Sequence, residues 1–269
     1  MMNRTQPAND WALRLFRKSP FKLAKYRCVV ELLSDTRGLH CLDIGSHNGA
    51  MSYLLSQRGG HWSSADLEEK TVRMIKDMVG HNVFYIEHGR MPFEDDTFDR
   101  VVIIDCLEHI KDDRAFIGEL FRIIKPQGCL IINTPHRRET LLRRLRLALG
   151  DTDEKHGHVR PGYTRDDLDR LLAGRFTISS FREHSKFFSE LVDIAISTAL
   201  VRCTDESEPP DGGIIVSEAD LERHRHQYRV YSLIYPLIWF ILRLDTLLPW
   251  SHGYLLIVNT RSEKPHGSA

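Results

Sequence analysis

The chain of 269 residues has no surplus of either charge, 37 Lys and Arg balancing 37 Asp and Glu. A dedicated nucleic-acid binder carries a basic excess, so nucleic acid is not an expected partner. No C-x-x-C pair occurs among the five scattered cysteines, Cys28, Cys41, Cys106, Cys129 and Cys203. That argues against a disulfide framework or a cysteine-rich zinc site and fits a reducing, cytoplasmic compartment. Met1–Asn9 is polar, with no apolar run before a small-residue cleavage site, so no signal peptide is expected. There is no internal repeat. The uncharged apolar run Val230–Leu242 is thirteen residues, broken by Pro236, which is too short to span a bilayer. What remains is an ordinary globular balance, 42% hydrophobic and 28% charged, at a length suited to one large domain or one domain with an insertion.

Hydrophobic periodicity predicts a helix over residues 10–35, split at Pro20. From Leu39 onward, short apolar runs alternate with helical patterns. Strands are expected at Leu39–Ile44, His61–Asp66, Val83–Glu87, Asp99–Asp105 and Cys129–Thr134. Helices are expected at Ala50–Arg58, Glu69–Val79 and Asp113–Ile124, then at Glu139–Leu149 and Asp166–Leu172. This alternation implies an α/β fold with a doubly wound, Rossmann-like sheet. Val101–Ile104 and Leu130–Ile132 are apolar on both faces, as central strands are.

The segment Cys41-Leu42-Asp43-Ile44-Gly45-Ser46-His47-Asn48-Gly49 lies where the first strand turns into a helix. Small residues there let a ligand approach the backbone, and the helix start offers free N–H groups. It is not the G-x-G-x-x-G fingerprint. Asp66 ends the second strand twenty-one residues after Gly45, where a carboxylate can accept both hydroxyls of a ribose. The pair points to a nucleoside-containing cofactor at the carboxyl edge of the sheet.

Three further motifs narrow the choice: Met91-Pro92-Phe93-Glu94-Asp95-Asp96-Thr97-Phe98-Asp99, Leu107-Glu108-His109, and Ile124-Lys125-Pro126-Gln127-Gly128. In this order they resemble class I S-adenosylmethionine-dependent methyltransferases, notably the ubiquinone-pathway and small-molecule group, over about residues 39–183. The resemblance implies S-adenosylmethionine as cofactor and a mostly parallel sheet with an antiparallel last strand. Asp43, Gly45, Ser46 and Gly49 would frame the methionine part, Asp66 the ribose, and Glu87 with His88 the adenine edge. Asp105 would face cofactor and substrate. Two positions depart from the pattern: His47 replaces the middle glycine of the turn, and Gln127 a glycine before strand five.

Methyl transfer needs in-line positioning, and a base where the acceptor is a hydroxyl. His136, directly after strand five, is the expected base, with Asp105 beside it in the catalytic set. His109, His158, Arg160 and Tyr163 are substrate-side candidates; the last three either line the mouth or pin the loop that carries them. A zinc site from His136, His156 and His158 lacks a suitably spaced cysteine or carboxylate, so no metal is expected. His224 and His226 read as solvent-exposed.

Phe176–Phe181 and Tyr254–Thr260 read as the last two strands, leaving a helical insertion between them. The resulting parts are an N-terminal helical segment (1–38), a cofactor-binding core (39–183), an apolar cap (184–252), and a last strand with its tail (253–269). Thr204–Gly213, acidic and rich in Pro and Gly, reads as a mobile loop. Two readings of the cap stand: a roof over the site, or a roof that also dips into a membrane interface and admits a lipid-linked acceptor. The expected partners are therefore a small-molecule or lipid-linked acceptor and, on the second reading of the cap, the inner face of a membrane. A non-catalytic cofactor-binding scaffold is the rival reading. A Rossmann oxidoreductase is argued against by the Leu107–Ile110 and Lys125–Gly128 motifs.

Overall fold

The two apolar runs at 101–104 and 130–132 are adjacent strands at the centre of a seven-stranded sheet. The computed structural model describes residues 10–201, 225–248 and 251–265. The Thr204–Gly213 segment and His224 lie outside them. The strands are β1 (His40–Ile44), β2 (His61–Asp66), β3 (Val83–Tyr85), β4 (Phe98–Ile104), β5 (Ile124–Pro135), β6 (Phe176–His184) and β7 (Leu255–Ser262). Their order is β3-β2-β1-β4-β5-β7-β6. All pairings are parallel up to β5, while β7 runs antiparallel to both β5 and β6, in register Thr134↔Leu256 and Arg182↔Ile257.

Strand alternation divides the core between two faces. On one, Leu42, Val101, Ile103 and Leu130 meet Phe116, Ile117 and Leu120 of α5 (Asp113–Ile123) and Leu168 and Leu172 of α7 (Arg165–Leu172). On the other, Val102, Ile104 and Ile131 meet Trp11 and Phe16 of α1 (Asp10–Arg17), Val29 and Leu33 of α2 (Pro20–Leu33), Leu55 of α3 (Ala50–Ser56) and Met78 of α4 (Glu69–Val79). The N-terminal helices are thus one wall of the core. Pro20 does split them, because it begins α2 behind Ser19, whose hydroxyl accepts from Lys22 N.

The helix α6 (Leu141–Ala148) lies in the basic connection after β5. The insertion supplies α8 (Phe187–Val201) and α9 (Arg225–Arg243). A short 3-10 turn after α9 carries Asp245, which is buried at the start of α8. Its carboxylate accepts from Lys186 N (3.0 Å), Phe188 N (2.7 Å), Ser189 N (3.2 Å) and Ser189 Oγ (2.6 Å). A carboxylate there meets the unpaired N–H groups and positive end of the helix, clasping the two insertion helices at their base.

Candidate active site

The carboxyl ends of β1, β2, β4 and β5 open into one cavity of about 750 Å³, walled also by α2, α8 and the connection around residues 138–158. Gly45 forms its floor. Gly45 has φ +88°, and a Cβ there would lie 2.3 Å from Ile104 O and 3.0 Å from Cys106 Cβ. Only glycine lets the β1 turn lie this close to the end of β4 and leave its backbone facing the cavity.

Asp43, although expected to touch the cofactor, does not line the cavity. It is fully buried and accepts hydroxyl hydrogen bonds from Ser46 (2.5 Å), Ser52 (2.7 Å) and Ser64 (2.8 Å). Burial raises its carboxyl above the usual range, against the lowering effect of the three serines. Asp43 and Ser46 therefore brace the turn from beneath. Gly49 is likewise structural: it has φ +77° at the start of α3, where a Cβ would press on Ile75 Cα at 2.9 Å.

Asp66 ends β2 and lines the cavity at 8% exposure, its Oδ1 accepting from Glu68 N at 3.2 Å. Burial pushes its carboxyl up to about 7. Glu87 and His88, by contrast, sit on an exposed turn outside the cavity lining. The strand before them stops at Tyr85 and the following Ile86 turns into the core, which carries residues 87 and 88 outward.

Asp105 follows β4 and lines the cavity, as expected. Its Oδ2 pairs with Lys25 Nζ from α2, and its Oδ1 accepts from Asn133 Nδ2 at 2.8 Å. Asn133 Oδ1 in turn accepts from His184 Nε2 at 2.7 Å. Burial alone would raise Asp105, but the Lys25 ammonium more than offsets it and holds the carboxyl below its usual value. Next to it Glu108 is fully buried, its Oε2 accepting from Thr134 Oγ1 at 3.1 Å. Burial, and then the charge of Asp105, push Glu108 up to about 8. Burial drives the thiol of Cys106 well above its ordinary value.

His136 lines the cavity after β5, with its Nδ1 3.2 Å from Gly253 O and 3.7 Å from Glu183 Oε1. A carbonyl only accepts, so Nδ1 carries the hydrogen and Nε2 the lone pair. Burial lowers its basicity, so it is neutral at pH 7. His109 and His158 also line the cavity. Arg160 and Tyr163 do not. The Arg160 guanidinium pairs with Asp113 and donates to Tyr163 Oη, Ile110 O and Lys111 O, while Tyr163 is 4% exposed. Of the two readings for that pair, the loop-pinning one describes their contacts.

Several cavity residues carry no motif. Lys22 and Lys25 come from α2, and Glu190 and Asp193 from α8. Both acids are raised by burial. Two arginines of the cavity wall are paired locally: Arg143 with Asp153 (2.5 Å), and Arg146 with Asp151 (2.9 Å), which also meets His156 Nε2 at 2.5 Å. The i,i+3 spacing of Lys22 and Lys25 shows that they share a helix face, and only the packing shows which face meets the sheet edge.

Fold and cavity define an α/β protein built to hold a nucleoside cofactor at the carboxyl edge of its sheet. Residues 42–132 match the methyltransferase domain family. That stretch is similar to the class I S-adenosylmethionine-dependent methyltransferases, and the mostly parallel sheet with its one antiparallel strand matches their fold. The chain is 24% identical over 109 residues to a demethylmenaquinone methyltransferase of Tropheryma whipplei, covering 39% of this chain and 46% of that protein. It is 30% identical over 117 residues to the ubiquinone/menaquinone biosynthesis C-methyltransferase UbiE of Vibrio vulnificus, covering 39% and 45%. The chain thus spans about half the length of the curated relatives it matches. Among solved structures it is similar to the [4+2]-cyclase SpnF, with TM-score 0.59 and 16% identity over 93% of this chain and 84% of that one. A methyltransferase of Aquifex aeolicus aligns with TM-score 0.50 and 20% identity, over 64% and 91%.

S-adenosylmethionine is the cofactor of this domain class, and the residues present fit it. The floor at Gly45 is a space that a Cβ would fill, and Asp66 presents a carboxyl whose ionised form accepts from hydroxyl donors. Gly45 would hold the methionine end and Asp66 the ribose. The two departures from the family pattern sit where glycine would pay no steric cost: His47 has φ 48° and Gln127 φ 60°. His47 also lines the cavity, and burial pushes its imidazole down to about 4.

Proposed function

We propose that the protein transfers a methyl group from S-adenosylmethionine to a small or lipid-linked acceptor. The observation that carries this reading is that one cavity joins the cofactor end, Gly45 and Asp66, to a polar wall formed by His136, Arg138 and Glu190 beneath α8. At about 750 Å³ it lies in the upper range for small-molecule sites, with room for a cofactor and a second ligand. When bound, the cofactor supplies an electrophilic methyl group on a sulfonium. The work of the chain is then to bind, orient and exclude water. Asp105, anchored by Lys25 and Asn133, presents a carboxylate to the cavity. His136, neutral with its Nε2 lone pair free of the Gly253 contact, can accept a proton from a hydroxyl acceptor.

The quinone-pathway relatives support an acceptor with a lipid tail, and α9 gives such a tail a place to arrive. Val230, Leu233, Ile234, Leu237 and Phe240 recur at helical spacing and are all exposed, Leu233 at 82%. The opposite side meets the body, with Ile238 buried and Tyr231 Oη donating to Lys18 O at 2.7 Å. The apolar stretch is longer than its uncharged portion. Arg229–Leu247 has a mean hydropathy of 1.4 with 11% of it buried, long and apolar enough to cross a membrane by length and composition. Because one side is tied to the core, we read it as lying in the interface, on the inner face of a membrane.

Calorimetric titration of the purified chain with S-adenosylmethionine and, separately, with NADH tests the cofactor. Binding of the first alone is expected, and binding of neither would replace the enzyme by a scaffold. Methyl transfer from labelled cofactor is then screened over acceptors that include quinol-headed lipids. Flotation with anionic phospholipid vesicles should carry the wild type but not Leu233→Glu/Leu237→Glu. Equal recovery of both would remove the membrane from the reading.

A further inference from the structure

We infer that Glu108, His109 and His158 form a binding site for one divalent transition-metal cation in the cavity wall. Three separate facts converge on it. The ligand atoms these residues offer all lie within 4.8 Å of one another. Two polar atoms of these residues, Glu108 Oε1 and His158 Nδ1, are buried with no partner among the described residues. An unsatisfied buried carboxylate oxygen and imidazole nitrogen are each costly, and a shared cation would satisfy both.

The third fact is how the groups are held. His109 Nδ1 lies 3.0 Å from Gly157 O, so it carries the hydrogen and Nε2 keeps its lone pair. A backbone carbonyl behind the imidazole is how metal-ligating histidines are oriented. Glu108 is fixed the same way, through Thr134 Oγ1 on Oε2, which leaves Oε1 as the ligand. His158 is brought alongside by Val159 N donating to Glu108 O at 3.0 Å, although it lies about fifty residues away in sequence. The rings of His109 and His158 meet edge to face with centroids 4.8 Å apart.

Two nitrogens and one carboxylate oxygen suit zinc, iron or manganese rather than calcium. Ligands of a tetrahedral ion with bonds of about 2.1 Å stand roughly 3.4 Å apart, so ligand atoms now within 4.8 Å would draw together by up to about 1.4 Å. His158 lies on a connecting segment, where that adjustment is easiest. The sequence argues against a zinc set of His136, His156 and His158, for want of a suitably spaced cysteine or carboxylate. The structure places His136 against Gly253 and His156 against Asp151, and supplies the missing carboxylate from Glu108. All three proposed ligands line the cavity, so the remaining coordination positions open onto it. A cation there would take an acceptor oxygen and lower the pKa of its hydroxyl; that role, unlike the site itself, rests on the methyl-transfer reading.

The test is metal content of the full chain after chelation, reloading with Zn2+ or Mn2+, and dialysis against metal-free buffer. One retained equivalent is expected. His158→Ala, on an irregular segment, should weaken binding at least about a hundredfold, beyond what loss of a supporting group costs. Glu108→Gln, which keeps the shape, should weaken it as well, with unchanged circular dichroism showing that both variants fold. His156→Ala should bind as the wild type does. No retained metal, or retention lost in His156→Ala and not in His158→Ala, overturns the site. Cofactor titration on the same samples stands apart: S-adenosylmethionine binding without metal sinks only this inference, and metal without cofactor sinks only the function.

Discussion

Replacing Asp66 by Asn should make the cofactor-free protein more stable and the cofactor bind less well. In the unfolded chain this carboxyl has its ordinary value of 3.8, and burial in the fold raises it to about 7. Between those values the folded state keeps a proton that the unfolded state releases, so stability falls as pH rises from about 4 to about 7. A gap of about 3 units corresponds to a ceiling of about 4 kcal/mol. Relaxation around the carboxylate and its N–H bond to Glu68 would recover part of this, leaving about 2 kcal/mol to be gained by Asp66→Asn above pH 7. For a chain of this size that is a rise in melting temperature of roughly 4–8 °C. Below about pH 4 the two proteins should melt together. Affinity should move the other way. Hydrogen bonds to a charged acceptor contribute about 1.5–3 kcal/mol, so losing the charge should weaken S-adenosylmethionine binding by about tenfold or more. Wild-type affinity should also strengthen from pH 6 to 8, while the variant stays flat. Melting curves across pH and calorimetry read both effects. An Asp66→Asn protein that melts at or below the wild-type temperature at pH 8, with unchanged affinity, would refute the assignment.

Three other perturbations separate structure from site. Gly45→Ala should abolish cofactor binding and destabilise the chain by more than about 2 kcal/mol, since it adds a left-handed-backbone penalty of roughly 1–2 kcal/mol to a clash with Ile104 O; denaturant titration checks it. Lys25→Met leaves Asp105 with only Asn133 and should cost about 1–3 kcal/mol at neutral pH, less than a fully buried pair because the cavity admits water. The folded value of Asp105 is depressed, so that cost should fade as pH falls below about 4, which urea unfolding at several pH values would show. Asp245→Ala should speed amide exchange at Phe188 and Ser189 at the start of α8 by about 1–2 kcal/mol of lost capping, with the β4 and β5 amides unaffected.

The elements that sequence makes plain are those whose pattern answers to one physical rule. His61–Asp66 and Glu69–Val79 fall where periodicity puts them, because a two-sided strand and an amphipathic helix each leave a regular trace. Gly45, Asp66 and Asp105 fall on the cavity lining for a similar reason: turns and strand ends fix where small or acidic residues face the carboxyl edge of the sheet. Asp43 and Gly49 occupy the same motif but brace it, a distinction that depends on three serines spread over positions 46–64 and on the packing of α3 against α4. Long-range partners left no trace. Asn133 sits inside an apolar strand, and Lys25 looks like any other basic residue of a helix rich in them, yet the two converge on one carboxylate. Glu108 and His158 are brought together by a backbone bond that no spacing encodes.

The place of β7 in the sheet has a consequence for assembly. It lies between β5 and β6, so β6 has no strand neighbour until residues 255–262 arrive, about seventy positions after β6 itself has been made. On a ribosome, the first five strands can pair in the order of synthesis, whereas β6 and the helices that follow it must wait. The sheet edge offered by β5 stays open through that interval, exposing Leu130, Ile132 and Asn133 in a row of unpaired backbone groups. Late closure of a long loop is slow, so the interval sets when the nascent chain most needs protection from aggregation. Completion of the active-site wall at Tyr254 and Leu255 coincides with that last pairing event.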